Sequence, residues 1–276
     1  MKLLTLILAT FRELFSKATL YVLLGISTLI LVGTLLSLSS ETTDEGVVLK
    51  VFGNQVSPPT QLGDLAPVVD SMQTGLAKGL FIGIMLFGVF ATASIIPDSL
   101  EKGTVDLFLS KPLARWELLL GKYLGSVAVM FAVIVFFIGG IWLGFGVRIG
   151  VWNAQFLLSA FTMSFMFACI FSIVLFLGVI FRNAAVPIIG CFIYLMFVDN
   201  LLENRETILY FLSDSKIYHG ILDGLYYIFP QIAGMQKSLE NQIMHKTMEW
   251  KPFGQALLSS AAIFGCSTLI IRRKDF

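Results

Sequence analysis

The chain has 276 residues, of which 57% are hydrophobic and only 13% charged, whereas a soluble domain is roughly half apolar and a quarter charged. So little charge cannot dress a water-facing surface, which excludes a soluble enzyme. The hydrophobicity likewise excludes a disordered chain, and the three cysteines exclude a disulfide scaffold.

Taken in chain order, residues 1–17 form an amphipathic helix. Thr5, Ala9, Arg12, Glu13 and Ser16 share one stripe, and Leu3, Leu4, Ile7, Leu8, Phe11, Leu14 and Phe15 fill the rest. Such a helix lies along a membrane interface. A cleaved signal peptide is disfavoured, because the apolar run that follows is longer than a usual signal core. Charge-free runs then mark the spans, since a bilayer core about 30 Å thick takes roughly 20 apolar residues of helix. They predict transmembrane helices at 18–38, 76–96, 123–147, 156–181, 183–202 and 252–271. The stretch before the fourth, with Trp152 and Asn153, reads as an interfacial loop. The fifth reaches full length only by taking in Asp199. Residues 218–235 carry an aromatic run, Pro230 and three glycines (Gly220, Gly224, Gly234), and suit a re-entrant or interfacial segment better than a seventh span. The expected fold class is therefore all-α integral membrane, one domain over 1–276. Six transmembrane helices follow the interfacial helix, with a cytoplasmic coupling hairpin at 97–122 and outer loops at 39–75 and 203–251.

Charge sorts these segments by side. Lys2, Arg12, Lys17, Lys102, Lys111, Arg115, Lys122, Arg182, Arg272, Arg273 and Lys274 fall on one side with only Glu13, Asp98, Glu101, Asp106, Glu117 and Asp275. By the positive-inside bias, both termini and the 97–122 connection are cytoplasmic, in the plasma (inner) membrane. The net charge of +1 is thus the residue of a strong asymmetry.

Much chemistry is missing from the pattern. Cys169, Cys191 and Cys266 lie inside spans, and His219 and His245 form no metal-ligand pair. The spans carry no buried acid, histidine or lysine of the kind a proton relay needs; Lys78 sits at a span end. No G-x-x-x-x-G-K-[ST] occurs in this sequence, since Gly121-Lys122 is followed by Tyr123. Nothing points to nucleic acid. Glycines recur at four-residue spacing, at Gly75, Gly79 and Gly83, Gly121 and Gly125, Gly140 and Gly144, and Gly146 and Gly150, which suits close helix packing, within the chain or across a dimer seam. The hydroxyls of Ser27, Thr28, Thr92, Ser94, Ser164, Ser172, Ser259 and Ser260 offer a weakly polar seam for an amphipathic or lipid-linked substrate.

The connection after the second predicted span is the most informative segment. Pro97 ends that span, and Asp98 with Glu101 has capping-box spacing for a short amphipathic helix. Ser110-Lys111-Pro112 breaks it, and Pro112 opens a helix through Arg115 into Lys122. A structured hairpin of mixed charge suits docking of a soluble partner better than mere connection.

The stretch Ser99-Leu100-Glu101-Lys102-Gly103-Thr104-Val105-Asp106-Leu107-Phe108-Leu109-Ser110-Lys111-Pro112-Leu113-Ala114-Arg115-Trp116-Glu117-Leu118-Leu119-Leu120-Gly121-Lys122 resembles the signature of ABC-2-type transporter permeases. Arg12-Glu13-Leu14, the aromatic run 225–230 and the ending Arg272-Arg273-Lys274-Asp275-Phe276 resemble the same family. The resemblance implies a coupling helix between spans two and three, a second permease chain (identical or a paralogue) and a separate P-loop ATPase. ATP and Mg would sit on that partner, with no cofactor in this chain and no catalytic residue. Asp98, Glu101, Gly103, Thr104, Lys111, Pro112, Arg115 and Lys122 become ATPase-coupling candidates, with Arg12 and Glu13 on the interfacial helix. An ABC exporter subunit is the leading expectation, with membrane lipid and a periplasmic or extracellular protein as further partners. A stand-alone channel or secondary carrier, and a non-transporting scaffold, are the competing classes.

Overall fold

The computed structural model describes residues 2–43, 46–55, 65–99, 114–210 and 216–273. Of the coupling candidates, Glu101, Gly103, Thr104, Lys111 and Pro112 lie outside the described residues.

Among the described residues, six helices are long and apolar enough to cross a membrane: Ala18–Ser37, Ala66–Ser99, Trp116–Ile149, Ala154–Phe181, Ala185–Glu203 and Lys251–Arg273. They are spans one to six below. A separate helix, Lys2–Ser16, precedes them. Two short helices, Lys216–Ile228 and Ile232–Ile243, stand between spans five and six where the re-entrant segment was expected.

Span two begins at Ala66, well before position 76, because the charge-free criterion stops at polar groups that are paired here. Pro67 sits in its first turn, where a missing N–H does no harm. Asp70 and Lys78 find partners in Asn153 and Glu240. Pro97 does not end the helix. The α-helical run stops at Thr92, and a short helix, Ile95–Ser99, follows with Pro97 inside it. A proline cannot donate to the carbonyl four residues back, here that of Ala93, so the ladder loosens at Ala93–Ser94 and resumes with Asp98 N–H to Ser94 O at 2.9 Å. Asp98 therefore lies inside this short helix, and the helix expected to follow it falls outside the described residues.

The third helix runs Arg115–Ile149 and ends on Gly150 at φ 82°. At its start Glu117 accepts from the Ala114 N–H at 3.0 Å, half of a capping box. Asn153 then caps span four, its side chain accepting from Phe156 N–H at 3.1 Å.

The segment expected as a plain outer loop instead carries a small sheet, a departure confined to that loop, while the membrane-spanning region is all-α as expected. Strands β1 (Leu38–Thr43), β2 (Gly46–Val51) and β3 (Asn54–Gln55) are antiparallel in the order β1-β2-β3. Leu38 pairs with Val51, and Leu38 and Leu49 are buried in the main core. The sequence signal was the run Val47-Val48-Leu49-Lys50-Val51 before Gly53.

Spans two, three and four carry the core, through Phe81, Met85, Val89, Met130, Ile134, Phe137, Phe167 and Phe171. Glycine spacing explains the close approaches. A Cβ added at Gly140 would meet Leu31 at 1.9 Å, and one at Gly144 would meet Leu35 at 1.8 Å, so these two glycines seat span one. A Cβ at Gly121 would lie 2.6 Å from Leu6, and one at Gly125 2.6 Å from Thr10, so the preceding pair seats the N-terminal helix. Both pairs serve packing within the chain.

Candidate functional site

The side chains that most constrain function gather at the two ends of the bundle. At one end, the N-terminal helix buries Leu6, Thr10 and Leu14, one residue per helical turn, against span three. This lays Glu13 beside Lys122, and the two form an ion pair with the lysine side chain 6% and the carboxylate 31% exposed. One turn on, Lys17 reaches the end of span two, with Nζ 2.7 Å from Asp98 Oδ2 and 2.6 Å from Ser94 Oγ. The N-terminal helix is thus tied to both chain segments that flank 100–113. Arg12 is exposed beside this clamp, and the backbone of Arg115 starts the third helix. Of the sequence candidates, the fold brings together Glu13, Asp98 and Lys122. It adds Lys17 and Ser94, which sequence reasoning missed because their partners are 81 and 77 residues away.

At the opposite end the main surprise is Asp199. The spans were expected to hold no buried acid, yet this carboxylate is buried within span five. The helix there passes through one π-helical turn, Tyr194–Val198, and the Asp199 N–H bonds the Tyr194 carbonyl. Asp199 accepts from the backbone N–H groups of Ile232 at 3.1 Å and Ala233 at 2.7 Å. It therefore sits on the positive end of helix Ile232–Ile243 and satisfies donors that have no helical partner. Its burial is tolerated because its oxygens are hydrogen-bonded. The Tyr194 hydroxyl donates to the Pro230 carbonyl, in the break between the two short helices. Together these bonds lock the short-helix pair onto span five.

The same pair is held elsewhere. Arg205, nearly buried, donates from Nε to Asp223 Oδ1 at 2.8 Å, and its guanidinium lies 3.7 Å from the centroid of the Tyr226 ring. The Tyr210 hydroxyl donates to the same carboxylate oxygen at 2.7 Å. Hydrogen bonds from Arg205 and Tyr210 hold the Asp223 carboxyl below its ordinary range. Farther along, the Asn153 amide donates to Asp70 at 2.7 Å and to the Ile243 carbonyl at 3.1 Å. Thr162 donates to Gln242 at 2.8 Å, and Lys78 meets Glu240 at 3.1 Å. Helix Ile232–Ile243 is thereby fastened to spans two, four and five.

Five of the eight hydroxyls read as a weakly polar seam are engaged within their own helices. Thr28, Thr92, Ser164, Ser172 and Ser259 bond carbonyls of their own helices at 2.6–3.1 Å, the usual behaviour of buried hydroxyls. Among the described residues, no three His, Cys, Asp or Glu side chains gather to hold a metal ion. His219 stacks on Tyr210, with centroids 4.0 Å apart, and His245 Nε2 lies 3.8 Å from Asp70.

A bundle of six apolar helices, clamped at one end by an apolar-faced surface helix and closed at the other by a hydrogen-bonded pair of short helices, defines a multi-pass membrane protein. The sequence model of the ABC-2 family transporter proteins matches residues 23–276, and the chain belongs to that family. It is accordingly a membrane-embedded transporter permease, and the family typically works with an ATPase partner. The N-terminal helix precedes the matched region. No curated protein matches the chain.

Proposed function

We propose that this chain is the membrane-spanning subunit of an ABC exporter in the plasma membrane, with both termini cytoplasmic, driven by a separately encoded P-loop ATPase. Two such chains, identical or paralogous, would form the pathway. The observation that carries this reading is the double tie of the N-terminal helix, Glu13 to Lys122 and Lys17 to Asp98. It braces both flanks of the 100–113 connection, which is where a force from the cytoplasm must enter if spans two and three are to move. The exposed Leu4, Leu8 and Phe15 of that helix suit an interfacial position.

In this mechanism, nucleotide-driven closure of the ATPase pair pushes on the connection. Spans two and three carry the displacement to the far end, where the short helices packed on span five shift between closed and open arrangements. Only a partner that grips the connection differently in its two nucleotide states can drive the change. Glu101, Lys111 and Arg115 supply its charged contacts, Gly103 allows close approach, and Thr104 and Pro112 belong to the same docking segment. Arg12, beside the clamp, faces the same partner.

The test is co-purification with a candidate ATPase and measurement of its hydrolysis in liposomes. Stable assembly, with hydrolysis changed by the permease and uncoupled by Glu101→Ala, is expected. Normal coupling in that variant removes the docking role, and failure to associate with any P-loop ATPase revives a stand-alone carrier.

A further inference from the structure

The turn joining β2 and β3 holds a large aromatic in a backbone conformation that suits glycine. Phe52 has φ +52° and Gly53 φ +78°, a pair of left-handed residues for which Asn-Gly is the usual choice. Phe52 nevertheless points outward, 80% exposed. Among the described residues, nothing repays either the backbone conformation or the exposed ring.

The position of the turn supplies the reason. The Phe52 N–H bonds the Ser37 carbonyl at 2.9 Å, the last residue of span one. The Arg148 guanidinium, in the last turn of span three, donates to the Leu38 carbonyl at 3.0 Å. The turn is therefore level with the ends of two spans. Buried Leu38 and Leu49 hold the sheet to the bundle, so the ring is not on a free-swinging tip. Leu36 and Val147, in the last turns of spans one and three, are exposed apolar residues. Trp152, just before span four, and Trp250, just before span six, are exposed at the same end of the bundle. Aromatic rings at that level form the belt by which membrane proteins meet the lipid boundary.

We infer that the hairpin turn is a lipid anchor: Phe52 enters the leaflet that borders the outward ends of spans one and three, and Arg148 lies at headgroup level beside it. The occupant of this surface is bilayer lipid, because the turn is held at the ends of two membrane spans whose terminal residues Leu36 and Val147 are themselves apolar and exposed. The anchor sets the depth of the sheet and of the end of span one. It requires only that the six helices cross a bilayer, and stands apart from any ATPase coupling.

The experiment uses the full chain in phosphatidylcholine–phosphatidylglycerol vesicles. Cys266 is the exposed cysteine, and Cys169 and Cys191 are buried, so a Cys266→Ser background accepts one spin label at Phe52→Cys. Leu36→Cys serves as the lipid reference and Lys246→Cys as the aqueous one. Power saturation should give the label at 52 the oxygen-rich, nickel-chelate-poor profile of the Leu36 site. A profile like that of Lys246 places the turn in water and overturns the anchor. Protection from both relaxants shows a protein against it and overturns it equally. Phe52→Trp gives an independent reading that keeps the aromatic. The added emission, relative to the parent protein, should be quenched by lipids brominated near the headgroup and spared by iodide; the reverse refutes the inference.

Discussion

Glu13→Gln removes one charge from the clamp while keeping the shape of the side chain, and so isolates the ion pair from the packing around it. Lys122 is 6% exposed and Glu13 31%, so the pair lies between two limits. An exposed pair contributes about 0–1 kcal/mol, and removing one member of a buried pair costs about 3–5 kcal/mol. With the lysine desolvated and the carboxylate partly hydrated, the expected loss is about 2 kcal/mol, roughly thirtyfold in the equilibrium between docked and detached helix. The asymmetry is the sharper test. Lys122→Met removes the desolvated charge itself and leaves a carboxylate that water can reach, so it should cost less than Glu13→Gln. Once Lys122 is Met, adding Glu13→Gln should change little. Hydrogen exchange across residues 2–16 in micelles, with unfolding titrations of the four proteins of the cycle, measures both quantities. The reasoning is refuted if Lys122→Met is the more damaging change, or if the two substitutions add independently.

Three further outcomes follow from the geometry. Asp199→Ala strips two donors of their acceptor and should destabilise the protein by about 2 kcal/mol, with exchange protection lost first in helix Ile232–Ile243; Asp199→Asn keeps one acceptor oxygen but sets an amide N–H against the second donor, and should recover the loss only in part. Gly121→Val should push the N-terminal helix off span three at a cost of about 1–3 kcal/mol, because its Cβ would lie 2.6 Å from that of Leu6, and Leu6→Gly, which removes that Cβ, should restore thermal stability in part. Hydrogen bonds from Arg205 and Tyr210 lower the Asp223 pKa, so the pair stabilises the fold above the free carboxylate value of about 4 and loses that contribution as pH falls through the lowered value. Asp223→Asn should flatten that acid limb in a series of melting curves.

Six spans were legible in the sequence because hydrocarbon imposes a length and a composition on any helix that crosses it. Family membership was legible as well, through a stretch of unusual specificity between spans two and three. The amphipathic leader was visible from its spacing, and the glycine pairs announced where helices would meet. Which helices they would meet was not visible: Gly121 and Gly125 carry no mark saying that Leu6 and Thr10 are their partners. The same holds for charge. Lys122 read as a surface cation because a sequence shows its neighbours along the chain, whereas burial depends on Glu13, 109 residues away. Asp199 looked like the polar end of a short span. Its burial is tolerated because a helix that starts 33 residues later presents two unpaired N–H groups to it. Helix length and membrane affinity are local sums over consecutive residues, so they can be read along the chain. The clamp, the capped short helices and the placement of Phe52 depend on which distant groups satisfy one another, and these follow from the packing of the folded bundle.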